Sequence, residues 1–387
     1  VLFDAIEDAA FPVVNNMDGI GTLRSLKETA SSENKLETLK KYLEEFKVRI
    51  VLTAHPTQFY PGSVLGIITD LSEAIRTNDL LKINDLLAQL GKTPFFKHQK
   101  PTPYDEAVSL IWYLENVFYK SFGTIYDYIQ QNIFDGKHIN NAIINVGFWP
   151  GGDRDGNPFV TPEITLKVAN RLRETVIKNY YRDARNLRRK LTFEGVEQRI
   201  VFLETELYKI ITREKTKLTL ESFTSELKEI KQTIIDKHQS LYVNEVNSLL
   251  NKIHLFGFHF ANLDIRQDSR KHAQFFNDMV NTLIESGSPL FPKNYHDLSE
   301  KTQIQILSKV KGEVDLSLIK DKETLKALKT MKAIKTIQTT NGEVAANRYI
   351  ISNNQTTLHV IQLFAMLKLV AFQEQLTVDI GPLFETI

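Results

Sequence analysis

The sequence contains no cysteine. Disulfides, thiolate metal sites and cysteine nucleophiles are therefore excluded, and any chemistry falls to His, carboxylates, Arg, Lys or hydroxyls. Glycine and proline are scarce, at 17 and 12 of 387 residues, well below the roughly 12% of average usage. That scarcity favours long helices. Hydrophobic runs are short as well: the most apolar late segment, Leu358 to Phe372, is broken by His359, Gln362 and Lys368. Nothing approaches the ~18 apolar residues of a spanning helix, so no membrane partner is expected. Nor is there an excess of charge of one sign, with 48 Lys plus Arg against 47 Asp plus Glu, a net +1. Without a basic face the electrostatic case for a nucleic-acid partner is gone. The chain opens on Val1 with Asp4, Glu7 and Asp8 and no basic stretch. The expectation is a cytoplasmic chain without a signal peptide, and the missing initiator Met suggests residues upstream.

What is present is an ordinary globular composition, 42% hydrophobic and 25% charged, with helical and strand-like segments in alternation. Leu36, Leu39, Leu43 and Phe46 recur at spacings of three and four and predict an amphipathic helix over 32–47. Val48 to Thr53 is short, β-branched and nearly all apolar, which predicts a buried strand running into Ala54-His55-Pro56-Thr57. Helix is predicted again from Pro61 and over 105–133, followed by a second strand-like run, Ala142 to Trp149. Thr161-Pro162-Glu163 reads as an N-cap, a first-turn proline and an acid on the helix dipole. No proline interrupts 163–288, so long helices follow, with Gly195 as a turn. Three more strand-like runs end in polar residues: Leu255 to Ile265, Arg348 to Ile351, and Leu376 to Ile380, with an apolar helix over 356–374 before the last. The stretch 285–312, with Pro289 and Pro292, reads as the nearest thing to a linker. The arginines of 182–190 and the 13 tyrosines and 23 phenylalanines read as a solvated helix face and as core.

Five buried strands separated by helices, each leaving polar residues at its C-terminal end, is the layout of a (β/α) barrel, whose strand ends share one mouth. The expected fold class is mostly α with a parallel β-barrel: a partial (β/α)8 TIM-like barrel with long helical insertions. The expected organisation is an N-terminal helical segment over 1–47, then an incomplete barrel over 48–387 with insertions at about 61–140 and 162–250, as one structural domain.

The strand ends carry the candidates for chemistry. His55 alone reads as easily as a structural hydrogen-bonding histidine as a catalytic one. Gly151-Gly-Asp-Arg-Asp-Gly-Asn-Pro158 is more specific: two acids flank an arginine in a loop whose glycines permit close approach to a ligand, against the alternative of a plain polar turn. Asp264 and Arg266 lie two apart, hence on one face of a strand. The arginine there presents a planar fork to phosphate or carboxylate, or else forms an ordinary ion pair. Glu385 follows an apolar run, where a carboxylate is costly unless paired or metal-bound.

Together, Thr53-Ala-His-Pro-Thr57, Gly147-Phe-Trp-Pro-Gly-Gly-Asp-Arg-Asp-Gly-Asn-Pro158, Leu263-Asp-Ile-Arg-Gln267, Tyr349-Ile-Ile-Ser352 and Pro382-Leu-Phe-Glu-Thr386 resemble, in order, the motifs of the phosphoenolpyruvate carboxylases. The resemblance runs from Val48 to the last residue. It implies a mostly helical protein around a (β/α)8 barrel, a homotetramer built as a dimer of dimers, and Mg²⁺ or Mn²⁺ as cofactor. It implies that phosphoenolpyruvate and bicarbonate become oxaloacetate and phosphate through carboxyphosphate and an enolate. On this resemblance His55 acts on the carboxyphosphate and Arg266 holds phosphate. Glu385 is one of two metal carboxylates, and Trp149 and Leu383 form an apolar wall near the bicarbonate and CO₂ site. Asp153, Arg154 and Asp155 shape the mouth, Arg154 as a candidate anion contact, with Asp264 beside them at the substrate.

Two departures stand out. After Thr57 the chain reads Gln58-Phe-Tyr-Pro-Gly-Ser63, where the family usually has Glu and then two arginines. The chain also stops at Ile387, before the family's last strands and second metal carboxylate. It therefore resembles the N-terminal portion of the enzyme, expected to be inactive alone. A helical scaffold module, or a phosphoryl-transfer enzyme with His55 as phosphate acceptor, are the readings from other classes.

Overall fold

The computed structural model describes residues 22–53, 62–95, 101–155 and 157–385. The chain divides into two compact units. One comprises Val1–Glu45, His55–Thr102 and Ile129–His138; the other comprises Phe46–Ala54, Pro103–Tyr128 and Ile139–Ile387.

The described part of the first unit is helical. Helices α1 (Leu23–Ser32), α2 (Leu36–Glu45), α3 (Gly62–Arg76) and α4 (Leu80–Lys92) occupy it. On α3, Val64, Ile67, Ile68 and Leu71 follow the three-four spacing of a helical stripe and bury against Leu86 and Leu90 of α4. Asp79 accepts a hydrogen bond from Lys82 N at 3.1 Å and so caps α4.

The second unit carries the strands. In chain order they are β1 (Val48–Leu52), β2 (Ile144–Phe148), β3 (Asn262–Leu263), β4 (Ile265–Asp268), β5 (Arg348–Ser352) and β6 (Asp379–Pro382). Between and around them run α5 (Pro103–Tyr113), α6 (Tyr119–Asn132, its residues from Ile129 on belonging to the first unit), α7 (Pro162–Arg188), α8 (Glu197–Thr212), α9 (Leu220–Lys237), α10 (Val243–Phe256), α11 (Ser269–Glu285), α12 (Glu300–Ser308), α13 (Lys322–Asn341) and α14 (Thr357–Val370). The protein is thus mostly helical, with small parallel sheets.

The strands form two three-stranded sheets, in the orders β1-β2-β3 and β4-β5-β6. Every pairing is parallel, with Leu52 opposite Phe148, Phe148 opposite Leu263, Asp268 opposite Ser352 and Ile351 opposite Pro382. Only Asp264 separates β3 from β4, and an isolated parallel bridge joins Asp153, beyond the end of β2, to Arg266 on β4. Within each sheet the lateral order of the strands follows the chain order, and the parallel neighbours are connected through helices. No closed barrel is present among the described residues.

The start of α7 follows its local sequence. Thr161 accepts from Ile164 N at 3.4 Å, and Pro162 occupies the first turn, where its missing N–H costs nothing. Along α7, Val168, Leu172, Val176 and Tyr180 repeat at four-residue spacing and are buried. The Tyr180 hydroxyl donates to the Gly257 carbonyl at 2.7 Å, tying α7 to the end of α10. The stretch 285–312 is not a linker. It holds α12, capped by Ser299, and Phe291 and Tyr295 are 4% and 1% exposed and pack on Phe276 of α11. Two aromatic anchors outweigh the local turn composition. Likewise the early part of the run 255–265 finishes helix α10 rather than beginning a strand.

Candidate active site

The site forms where β2, β4 and β6 end. Beyond β2 the chain turns through Trp149, Pro150, Gly151 and Gly152 and then lies along β4. Arg266 N donates to the Gly152 carbonyl at 3.1 Å, and Arg154 N donates to the Arg266 carbonyl at 2.9 Å. Thr165 of α7 donates to the Gly151 carbonyl at 2.7 Å, which fixes the loop from the other side. These bonds set the alternation of the Asp153-Arg154-Asp155 triplet, so both acids reach the guanidinium of Arg266.

Arg266 is the centre of an ion cluster. Its Nη2 lies 3.0 Å from Asp155 Oδ2 and 3.5 Å from Glu385 Oε1, and its Nη1 lies 3.5 Å from Asp153 Oδ2. The guanidinium carbon stands 5.2 Å from the ring centroid of Trp149, a cation–π placement. Asp155 N donates to Asp153 Oδ1 at 3.1 Å, closing a tight turn. Burial pushes the Asp153 carboxyl above its ordinary range, while the Asp155 N–H and the Arg266 charge pull it down. A guanidinium fork at the strand-end mouth is of the kind that binds carboxylate or phosphate, and here its two Nη atoms face three carboxylates.

Asp264 does not pair with Arg266. Its Oδ1 accepts from Arg49 Nη2 at 2.6 Å and its Oδ2 accepts from the Trp149 indole N–H at 3.1 Å. Burial pushes its carboxyl up, and the Arg49 and Arg348 charges pull it back. Arg154 also goes elsewhere. Its guanidinium is buried at 8% exposure and donates to Thr330 Oγ1 on α13 at 3.0 Å, away from the acids that flank Arg266. Leu383 continues the β6 ladder, donating to the Ile351 carbonyl at 2.8 Å and accepting from Asn354 N at 2.9 Å, with its side chain partly exposed. His55 lies outside the described residues.

Sequence reasoning passed over Arg49 and Thr330. For Arg49 a signal existed: a charge inside an apolar strand is costly unless a partner meets it. Thr330 offered none, since a threonine within a helix implies no remote partner. Among the described residues no group of three or more His, Asp or Glu could hold a metal ion. No helix among them is long and apolar enough to cross a membrane.

The phosphoenolpyruvate carboxylase family model matches residues 15–219 and 196–387. The chain belongs to the phosphoenolpyruvate carboxylase family. Among curated family members, the phosphoenolpyruvate carboxylase of Prochlorococcus marinus subsp. pastoris is 26% identical, the match covering 90% of this chain and 43% of the relative. That of Shewanella loihica is 26% identical over 89% of this chain and 44% of the relative. That of Nitrosomonas eutropha is 25% identical over 96% of this chain and 46% of the relative. The chain spans less than half the length of these relatives.

Proposed function

We propose that this chain carries the phosphate-holding side of a phosphoenolpyruvate carboxylase active site. The observation that supports this is the convergence of three separate family motifs on one guanidinium: Trp149, Asp153 and Asp155 after β2, Arg266 on β4, and Glu385 after β6. The substrates are phosphoenolpyruvate and bicarbonate and the products oxaloacetate and phosphate, by way of carboxyphosphate and an enolate. The two parallel sheets, bridged at Asp153 and Arg266 and ordered as in the chain, are read as an arc of a (β/α)8 barrel with helical insertions.

In this reading Arg266 binds the phosphate through its fork. Trp149 and Leu383 shield the carboxylation site from water, which would otherwise protonate the enolate. His55 acts on the carboxyphosphate, helping to release and hold CO₂ beside the enolate, a role that imidazole chemistry near neutral pH fits. Asp264 orients Trp149, and Arg154 anchors the mouth rather than touching the anion. Glu385 is the residue that would hold Mg²⁺ or Mn²⁺. One carboxylate plus waters holds Mg²⁺ too weakly to organise an enolate in water. The chain alone is therefore read as inactive, with the complete protein a cytoplasmic homotetramer assembled as a dimer of dimers.

Calorimetric titration of the chain with inorganic phosphate and with phosphoenolpyruvate tests the reading. Arg266→Gln is expected to weaken both by roughly tenfold or more, the value of lost charge-assisted bonds at about 1.5–3 kcal/mol. Equal affinity in the variant and the parent would remove Arg266 from the site.

A further inference from the structure

Arg49, on β1, belongs to none of the family motifs, and its guanidinium is nonetheless placed with care. Its Nη2 meets Asp264 Oδ1 at 2.6 Å, with side-chain exposures of 21% and 2%. Room for it is cleared by Gly147 on the neighbouring strand β2: a Cβ there would stand 2.8 Å from Arg49 Nε and 2.9 Å from its Nη2. The other oxygen of the Asp264 carboxylate accepts from Trp149 Nε1 at 3.1 Å. The indole held in this way is the ring over which the Arg266 guanidinium sits. A continuous series, Arg49 to Asp264 to Trp149 to Arg266, thus links β1, the break between β3 and β4, the end of β2, and β4.

We propose that Arg49 is a positioning residue for anion binding at Arg266: by pairing with Asp264 it keeps an oriented carboxylate on the Trp149 indole N–H, and the indole face in turn fixes the direction of the Arg266 fork. The inference rests on the reading of Arg266 as a phosphate contact. Its physical basis is the cost of the Asp264 charge. A carboxylate at 2% exposure stays ionised only where partners offset its lost hydration. The charged groups acting on it are Arg49 from β1 and Arg348 from the start of β5, with the Trp149 N–H as neutral donor. Without Arg49 the Asp264 carboxyl loses its shortest contact and rotates or takes up a proton. The indole then loses a charged acceptor, and Arg266 loses a fixed platform while keeping its three carboxylate neighbours. Arg49 itself touches no substrate.

Two tryptophans make this testable by spectroscopy. Trp112 on α5 is 52% exposed, so Trp112→Phe leaves Trp149 as the sole tryptophan reporter. In that background the Trp149 emission is recorded, and inorganic phosphate is titrated by calorimetry, for Arg49 intact, Arg49→Met, Arg49→Lys, Asp264→Asn and Arg266→Gln. In Arg49→Met the emission is expected to shift to the red, acrylamide quenching to rise, and phosphate affinity to fall by about fivefold, the scale of one charged hydrogen bond acting at second hand. Arg49→Lys is expected to recover most of both. A residue with a merely structural role would lower the unfolding midpoint and leave the emission and affinity of the folded chain in place. Emission and affinity within about twofold of the background value in Arg49→Met would overturn the proposal. If Arg49→Met does not fold, Asp264→Asn decides: it breaks the same series at the next residue, and unchanged emission there overturns the proposal equally. Unaltered phosphate affinity in Arg266→Gln would instead remove the phosphate reading of Arg266, while the emission comparison still decides whether Arg49 holds Trp149.

Discussion

Gly152 runs so close to Asp264 that a Cβ on residue 152 would overlap the Asp264 carbonyl oxygen. The approach lets the loop beyond β2 bond to Arg266 on both sides, through the Gly152 carbonyl and the Arg154 N–H. Backbone cannot yield as a flexible side chain does.

Gly152→Ala is therefore expected to push the loop off β4, at a cost of about 1–3 kcal/mol, and to separate Asp153 and Asp155 from Arg266. Urea unfolding measures the first effect and phosphate titration the second. An alanine variant with the parent's midpoint and affinity would show that the approach is not required.

Asp155 stands 3.0 Å from Arg266 and so competes with any anion for the same donors. Asp155→Asn removes a like charge from the path of a phosphate, and a gain in affinity of roughly two- to fivefold is expected, the scale of a partly exposed charge pair. The effect should shrink as salt is raised. Weaker binding in Asp155→Asn would mean that the acid holds the fork in place rather than competing for it.

The buried Arg154 guanidinium donates through Nη1 to Thr330 Oγ1 at 3.0 Å. Thr330→Val keeps the shape and removes the acceptor, leaving a buried cation short of a bond at a cost of about 1.5–3 kcal/mol. Thr330→Ser is expected to retain most of the stability. Equal unfolding midpoints for the parent and the valine variant would contradict this.

His272 on α11 is fully buried against Tyr349, and both its ring nitrogens are unpartnered among the described residues. Burial, then the nearby Arg154 charge, lowers its pKa to about 3. In the unfolded chain it titrates near 6.5, so between these values the unfolded state binds the extra proton. The stability linked to His272 is complete above about pH 6.5 and is lost as the pH falls towards about 3, at up to roughly 1.4 kcal/mol per pH unit. Urea midpoints between pH 7 and pH 5 should fall less steeply in His272→Phe than in the parent. Parallel slopes would show that His272 contributes nothing to acid sensitivity.

The site was legible in part because its residues follow apolar strands. Trp149, Asp153, Asp155, Arg266 and Glu385 each end or follow a short apolar run, and parallel strands connected through helices present their C-terminal ends together. Arg154 shares that position in the chain, but alternation and the pull of Thr330 take its side chain elsewhere, and no pattern in the triplet distinguishes it from its neighbours. Asp264 and Arg266 are two apart in the chain, but the break between β3 and β4 falls at Asp264, and the two take separate ionic partners: Arg49 for Asp264, and Asp153, Asp155 and Glu385 for Arg266. Arg49 was visible as a charge in an apolar strand. Its partner lies 215 positions along the chain, and only a register of β1 on β2 and β2 on β3 brings the two together.

By itself the sequence determined most of the helices and the presence of the short strands, since these depend on local spacing, caps such as Thr161, and the scarcity of glycine and proline; it did not determine all their bounds, since Leu255 and Phe256 finish α10 and residues 300–308 form α12. It also determined which chemistry was available, by lacking cysteine and by carrying the family's motifs. Tertiary structure alone decided which charge met which. An ion pair or a cation–π contact depends on distances set by strand pairing and by the close approach of Gly152 and Gly147, and neither the periodicity of a segment nor its composition encodes those distances. It also decided that the proline-containing stretch 285–312 is packed rather than free, because the burial of Phe291 and Tyr295 is a property of the core they enter.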